Sequence, residues 1–170
     1  GPRYGYAGHN HDVYVNPFMG NSADVKVNGK TVHLQQETNY PWSGNIQLNV
    51  SPKGKQTFNL KIRIPGWVKN SAVPGNLYSY TDKKNLHYSI KVNGKAVEAT
   101  EEKGYFTIQR SWKKGDSVEI HFDMEARTVK AHPLVEADRG KIAIERGPLV
   151  YCAEWPDNDF SVLSILLNKK

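Results

Sequence analysis

The sequence predicts an all-β fold: an antiparallel β-sandwich, jelly-roll-like, with the start of a second β-sandwich at the C-terminal end. Three observations predict it. Apolar and polar residues alternate at period two through most of the chain, the spacing that puts one face of a strand in a core and the other in water. Gly, Asn, Pro and Ser interrupt the alternation at short intervals, as strands joined by tight turns require. No segment carries a sustained helical stripe; Glu125 to Gly140 comes nearest, and Pro133 interrupts it.

The elements follow in order. Val13-Tyr14-Val15 opens the first strand. Val25-Lys26-Val27, Asn28-Gly29 and Val32-His33-Leu34 form a hairpin on a type I′ turn, whose two central residues need positive φ. Ile46 to Val50 and Phe58 to Ile64 alternate cleanly around the turn Ser51-Pro52-Lys53-Gly54, and Pro65-Gly66 stops the second of them. Tyr88 to Val92, Asn93-Gly94 and Ala96-Val97 repeat the Asn-Gly hairpin. Tyr105 to Ile108 and Val118 to Phe122 flank the turn Trp112-Lys113-Lys114-Gly115-Asp116. Lys-Val-Asn-Gly-Lys occurs at 26–30 and again at 91–95, two similar turns rather than a repeat array. Beyond residue 127, Ile142-Ala143-Ile144 and Leu149-Val150-Tyr151 are nearly continuous apolar strands, a change of pattern. Residues 1–11 therefore read as a flexible segment in which Gly1-Pro2 resembles a protease scar, 12–127 as one sandwich, and 128–170 as extra strands opening a second.

At 170 residues the chain holds one domain, or one plus a fragment of another. An apolar fraction of 38% supports a core. Val162 to Leu167, the longest apolar run, is far short of the roughly 18 residues a spanning helix needs, so no membrane partner is expected. No secretory signal opens the sequence. The net charge of +6 comes from lysines that read as scattered turn residues, as in Asn28-Gly29-Lys30, Lys53-Gly54-Lys55 and Lys113-Lys114-Gly115. Turn lysines of this kind serve solubility and edge protection, and no nucleic-acid partner is expected.

Candidate chemistry is sparse. Asp24, Glu37, Asp116, Asp123, Glu136 and Glu154 fall at outward or turn positions where a carboxylate is solvated, and no pair stands out as the acid and base of glycoside cleavage. His9-x-His11 puts two rings on one strand face but lacks a third ligand; His33, His87, His121 and His132 read as half-buried. Cys152, the single cysteine, sits in Leu149-Val150-Tyr151-Cys152-Ala153 and reads as a buried, inert thiol. The tryptophans are the more informative residues. Trp42 and Trp67 lie in turn-rich stretches, Trp112 precedes a lysine turn and Trp155 precedes Pro156. Each offers a flat apolar ring suited to stacking on a sugar, or to plugging a sandwich end or a contact between domains.

Together, several of these segments resemble glycoside hydrolase family 127, the β-L-arabinofuranosidase-like enzymes. The segments are Val13-Tyr14-Val15-Asn16, Gln36-Glu37-Thr38-Asn39-Tyr40-Pro41, Leu60 to Trp67, Val92-Asn93-Gly94, Gly104-Tyr105-Phe106, Trp112 to Asp116 and Arg146-Gly147-Pro148-Leu149-Val150-Tyr151. They run in the family's order, and Pro17 departs from the pattern, standing where an apolar strand residue is expected. The resemblance implies an accessory β-sandwich region downstream of a catalytic (α/α)6 barrel in the same polypeptide, the parent being a retaining glycosidase of plant-type arabinose-containing glycans. It implies a cysteine nucleophile, a glutamate and a zinc held by further cysteines, all on the barrel; no catalytic residue, metal ligand or cofactor is expected in this chain. Trp42, Trp67 and Trp112 are the expected carbohydrate or interdomain contacts. The parent is expected in the periplasm or outside the cell. An autonomous carbohydrate-binding module, with two or more exposed co-facial aromatics, is the alternative.

Overall fold

The structure, a computed structural model, describes residues 5–16, 19–98 and 100–167, without the Trp155 side chain. Gly1-Pro2, Pro17 and Lys169-Lys170 lie outside the described residues. β1 (Tyr6–His9) and β2 (Asp12–Val15) form a hairpin with Asn10 at φ 52°. β3 (Asn21–Val27) and β4 (Lys30–Thr38) turn through Asn28 and Gly29 at φ 50° and 72°, as the Asn-Gly pair predicts. β5 (Asn45–Pro52) and β6 (Gln56–Arg63) follow, then a 3₁₀ turn at Gly66–Lys69 and the short β7 (Tyr78–Tyr80). β8 (Tyr88–Val92) and β9 (Lys95–Ala96) close on Asn93 and Gly94, at φ 51° and 75°. β10 (Thr100–Glu102), β11 (Tyr105–Trp112), β12 (Asp116–Phe122), β13 (Ala126–Ala131), β14 (Ile142–Arg146) and β15 (Leu149–Tyr151) complete the series.

Two sheets make the sandwich, in the orders β1-β2-β6-β11-β10 and β3-β4-β5-β12-β8-β9. Their inner faces are the apolar halves of the alternating strands. Val13, Val15, Leu60 and Ile62 of the first sheet and Leu34, Leu48, Val50 and Val118 of the second are all at 0% exposure. Each such burial contributes roughly 2 kcal/mol, so the alternation itself holds the layers together. One pairing departs from an all-antiparallel sandwich: β2 runs parallel to β6, with Val13 opposite Leu60. Between them the chain visits the other sheet for β3, β4 and β5, so no hairpin constrains their direction.

A third sheet, β15-β14-β13-β7, leaves the sandwich. β7 joins it although it stands among the sandwich strands in sequence, pairing Tyr80 with Val129 and Tyr78 with Ala131. One face, carrying Tyr80, Arg127, Val129 and Glu145, is buried, whereas Ile142, Ile144 and Tyr151 remain exposed on the other. Several expectations change here. Residues 6–9 are a paired strand rather than a flexible segment, because β1 finds a ready hairpin partner in β2. The stretch from Glu125 to Gly140 supplies β13 and one short 3₁₀ turn, Glu136–Asp138. Cys152 is exposed, since it follows β15 at the sheet's edge and no described strand lies beyond it.

Candidate functional site

The residues that join the third sheet to the sandwich form the most elaborated polar site in the chain. Arg127 is at its centre. Period two puts Arg127 on the same inward face as Val129, which buries its guanidinium to 4% exposure. There it donates through Nη1 to the Trp67 carbonyl (3.3 Å), and through Nη2 to Asn70 Oδ1 (2.6 Å) and the Asp82 carbonyl (2.8 Å). Its charge lies over the Tyr80 ring, 3.4 Å from the centroid. Asn70, at φ 62°, ends the 3₁₀ turn in the left-handed region that Asn tolerates, and so turns its side chain to Arg127.

Glu145 stands directly across the β13–β14 ladder from Arg127 and is 7% exposed. Burial holds its carboxyl above the ordinary glutamate value, an effect only partly offset by the Tyr80 phenol and the Arg127 charge. The Tyr80 phenol is itself pushed up by burial and by Glu145. Desolvation thus costs both acids, and Arg127 is the cation that makes the arrangement tolerable.

A second tie lies beside the first. The Trp67 ring packs edge-on against Phe122, with centroids 5.9 Å apart, and its Nε1 donates to the Tyr40 hydroxyl at 3.4 Å. Tyr40 begins the loop 40–44, entered by a cis Tyr40-Pro41 bond. The loop is clamped throughout: Trp42 and Ser43 donate their N–H groups to the Asn39 carbonyl, Tyr40 N–H to Thr38 Oγ1, and Asn45 N–H to Ser43 Oγ. Gly44 passes so close to β12 that an added Cβ would lie 1.9 Å from the Phe122 carbonyl oxygen. From the third sheet, Arg146 Nη1 donates to the Trp42 carbonyl at 3.2 Å. The Trp42 ring, by contrast, is 69% exposed. A fixed backbone carrying a bare aromatic ring is suited to contact with another surface.

The three tryptophans expected at contacts therefore separate. Trp42 presents its ring at the seam. Trp67, at 6% exposure, is a buried part of the same seam. Trp112, at 0% exposure, stacks on Phe58 (5.7 Å, 24°) inside the sandwich and donates Nε1–H to the Phe58 carbonyl. These three rings do not form an exposed co-facial platform. Arg127, Tyr80, Glu145 and Asn70 were not singled out by sequence reading. Their signal was the inward register of Arg127 with Val129 and of Glu145 with Ala143, charged residues at core positions of alternating strands.

The carboxylates are dispersed. Asp24 meets His33 at 2.8 Å, Asp123 meets His121 at 3.1 Å, and Glu136 lies 3.6 Å from Arg139, all at the surface. Asp116 departs from the solvated expectation: it is at 0% exposure, accepting from Asn93 Nδ2 (3.0 Å) and Lys113 N–H (2.9 Å). Burial pushes its pKa up, but these bonds and the charges of Arg110 and Lys113 outweigh that and hold it below the ordinary value. Its role is to pin two turns together. Among the described residues no three His, Cys, Asp or Glu side chains gather as a metal site.

Comparison with known proteins accords with this architecture. The family profile described as "Beta-L-arabinofuranosidase, GH127 middle domain" matches residues 12–124, and that of the "Glycoside hydrolase family 127 C-terminal domain" matches 126–170. A non-reducing end β-L-arabinofuranosidase of Bifidobacterium longum subsp. longum is 34% identical over 151 residues, covering 86% of this chain and 20% of the relative. A solved GH127 β-arabinofuranosidase superposes with a TM-score of 0.87 at 56% identity, over 93% of this chain and 25% of that one. The GH127 β-L-arabinofuranosidase of Geobacillus stearothermophilus T6 gives 0.71 at 36% identity, over 86% and 21%. The chain thus spans between 20% and 25% of the length of these relatives. It belongs to glycoside hydrolase family 127, with the middle domain at 12–124 and the C-terminal domain at 126–170.

Proposed function

We propose that this chain is the non-catalytic β region of a β-L-arabinofuranosidase-type glycoside hydrolase, packing on the catalytic barrel of the same polypeptide and completing one wall of its substrate cleft. The observation that carries the reading is the seam: a rigidly clamped loop presenting the exposed Trp42 ring beside a buried Arg127 network. The relatives' names point to a glycan ending in β-L-arabinofuranose, and the family resemblance to one of plant type. A polymer of that kind is met outside the cytoplasm, which favours a periplasmic or extracellular setting.

The zinc implied by the family resemblance does not fit this chain. Its one cysteine is exposed beside Glu154, 3.6 Å from Sγ to Oε1, without a second thiol, which supports a zinc site on the barrel rather than on this chain. The proposal is tested in the full-length polypeptide by deleting the region. The expected result is a barrel of much reduced thermal stability; a barrel-only enzyme with unchanged melting temperature and unchanged KM would overturn it.

A further inference from the structure

Lysines that are scattered in sequence converge in space. The turn Asn28-Gly29-Lys30 is tied to β6 by Asn28 Nδ2 donating to the Thr57 carbonyl. The turn carrying Lys53 and Lys55 is tied to β4 by Lys53 N–H donating to the Thr31 carbonyl. Trp112 pairs with Gln56, so Lys113 and Lys114 leave β11 beside Lys55. The turn before Lys95 joins them through Asn93 and Lys113, which share Asp116. Four turns thus bring Lys30, Lys53, Lys55, Lys95, Lys113 and Lys114 to one pole of the sandwich, and all six are exposed. Lys53, Lys55, Lys113 and Lys114 line an open groove of about 880 Å³ with His33 and Thr31.

None of the six makes an ion pair within 4.0 Å with a described carboxylate; several lysines elsewhere, such as Lys83 and Lys130, are likewise unpaired, so what sets the pole apart is that four turns gather six such charges. Carboxylates on the strands that lead to the pole are already engaged: Asp116 is buried among hydrogen bonds, Asp24 holds His33, and Asp12 meets Lys61 and Asn59. Like charges crowd together here, at a cost in self-repulsion that an anionic partner removes.

We infer that this pole binds a carboxylate-bearing polysaccharide, the acidic part of a glycan whose arabinose the parent enzyme attacks. The choice of a glycan rests on the function proposed above; the charge and its placement do not. Lysine supplies compact point charges on mobile stems, suited to carboxylates spaced along a flexible polymer rather than to the paired oxygens that arginine forks grip. The aromatic platforms that hold single-stranded nucleic acid are missing among the described residues of the groove. The surface would hold the enzyme on an acidic matrix without touching the reacting bond.

The test is affinity electrophoresis of the 170-residue chain through native gels containing polygalacturonate, neutral arabinan or no polymer, with a duplex DNA shift assay alongside. The expected result is retardation by polygalacturonate alone at about 20 mM salt and its loss at about 300 mM, where the screening length falls well below 10 Å. K53Q/K55Q/K113Q/K114Q should weaken it by about tenfold or more. K83Q/K103Q/K130Q/K141Q, which removes as many charges away from the pole, should leave it within about twofold. Equal loss in both variants, absence of retardation, or tighter binding to DNA than to polygalacturonate would each overturn the inference. Circular dichroism of both variants verifies that these exposed substitutions leave the fold intact. Failure here leaves the proposed role on the barrel standing, because that role is read from stability and KM of the full-length enzyme.

Discussion

The guanidinium of Arg127 lies 3.4 Å from the centre of the Tyr80 ring, and both residues are buried between the sandwich and the third sheet. Arg127 comes from β13 and Tyr80 from β7, the strand that leaves the sandwich sequence to pair with β13. One side chain therefore touches β7 through Tyr80, the end of the 3₁₀ turn through Asn70 and the Asp82 carbonyl beyond β7.

Arg127→Ala should destabilise the chain by about 3 kcal/mol, because it leaves three acceptors without their donor, takes the guanidinium from Asp82 Oδ1 at 3.8 Å, and removes the positive charge that offsets part of the burial cost of Glu145. R127A/E145Q should recover part of that loss, giving a coupling of about 1 kcal/mol or more in a double-mutant cycle. Urea unfolding checks both, and strictly additive effects would contradict the arrangement.

Gly44→Ala should cost about 3 kcal/mol or prevent folding, since its Cβ would meet the Phe122 carbonyl oxygen at 1.9 Å and disturb the bond from Phe122 N–H to the Gly44 carbonyl. Gly20→Ala is the control: the nearest atom would be 3.8 Å away, and the change should be nearly neutral. Thermal melts of the two variants distinguish a close backbone approach from a general intolerance of glycine replacement.

Two buried acids bend the pH profile in opposite directions. Glu145 has a folded pKa above the ordinary 4.5, so the folded state holds its proton more tightly and the chain loses stability as pH rises through that raised value. E145Q should flatten this loss. Asp116 has a folded pKa below 3.8, so its contribution is present above that value and is lost as pH falls below it. D116N should flatten the acid limb while lowering stability at neutral pH. Denaturant midpoints from pH 2.5 to 7 read both slopes.

Trp42→Ala should change the stability of this chain by no more than about 0.5 kcal/mol, because the ring is 69% exposed. In the full-length polypeptide the same substitution should cost about 2 kcal/mol, the size expected of an aromatic anchor in an interface. Equal melting shifts in the two contexts would mean the ring contacts nothing beyond this chain.

The sandwich was legible because its determinants are local. Asn28-Gly29 and Asn93-Gly94 specify their turns within two residues, and the alternation in 46–50 and 58–64 fixes which side chains meet the core. The third sheet was only half legible. β7 has three residues, too few for periodicity, and its partner lies some fifty residues downstream, so no local pattern gives its pairing. Cys152 misled for a related reason: an apolar strand predicts burial only when a layer covers it, and β15 lies at the sheet's edge. Trp112 looked like a turn residue by its neighbours, yet as the last residue of β11 it continues the inward register of Ile108 and Phe106.

The most direct measurement is incubation of the purified chain with a chromogenic β-L-arabinofuranoside. A region that only shapes and steadies a neighbouring catalytic barrel should release no chromophore above the buffer rate. Sustained release that vanishes when one of the chain's own carboxylates is replaced would contradict the account.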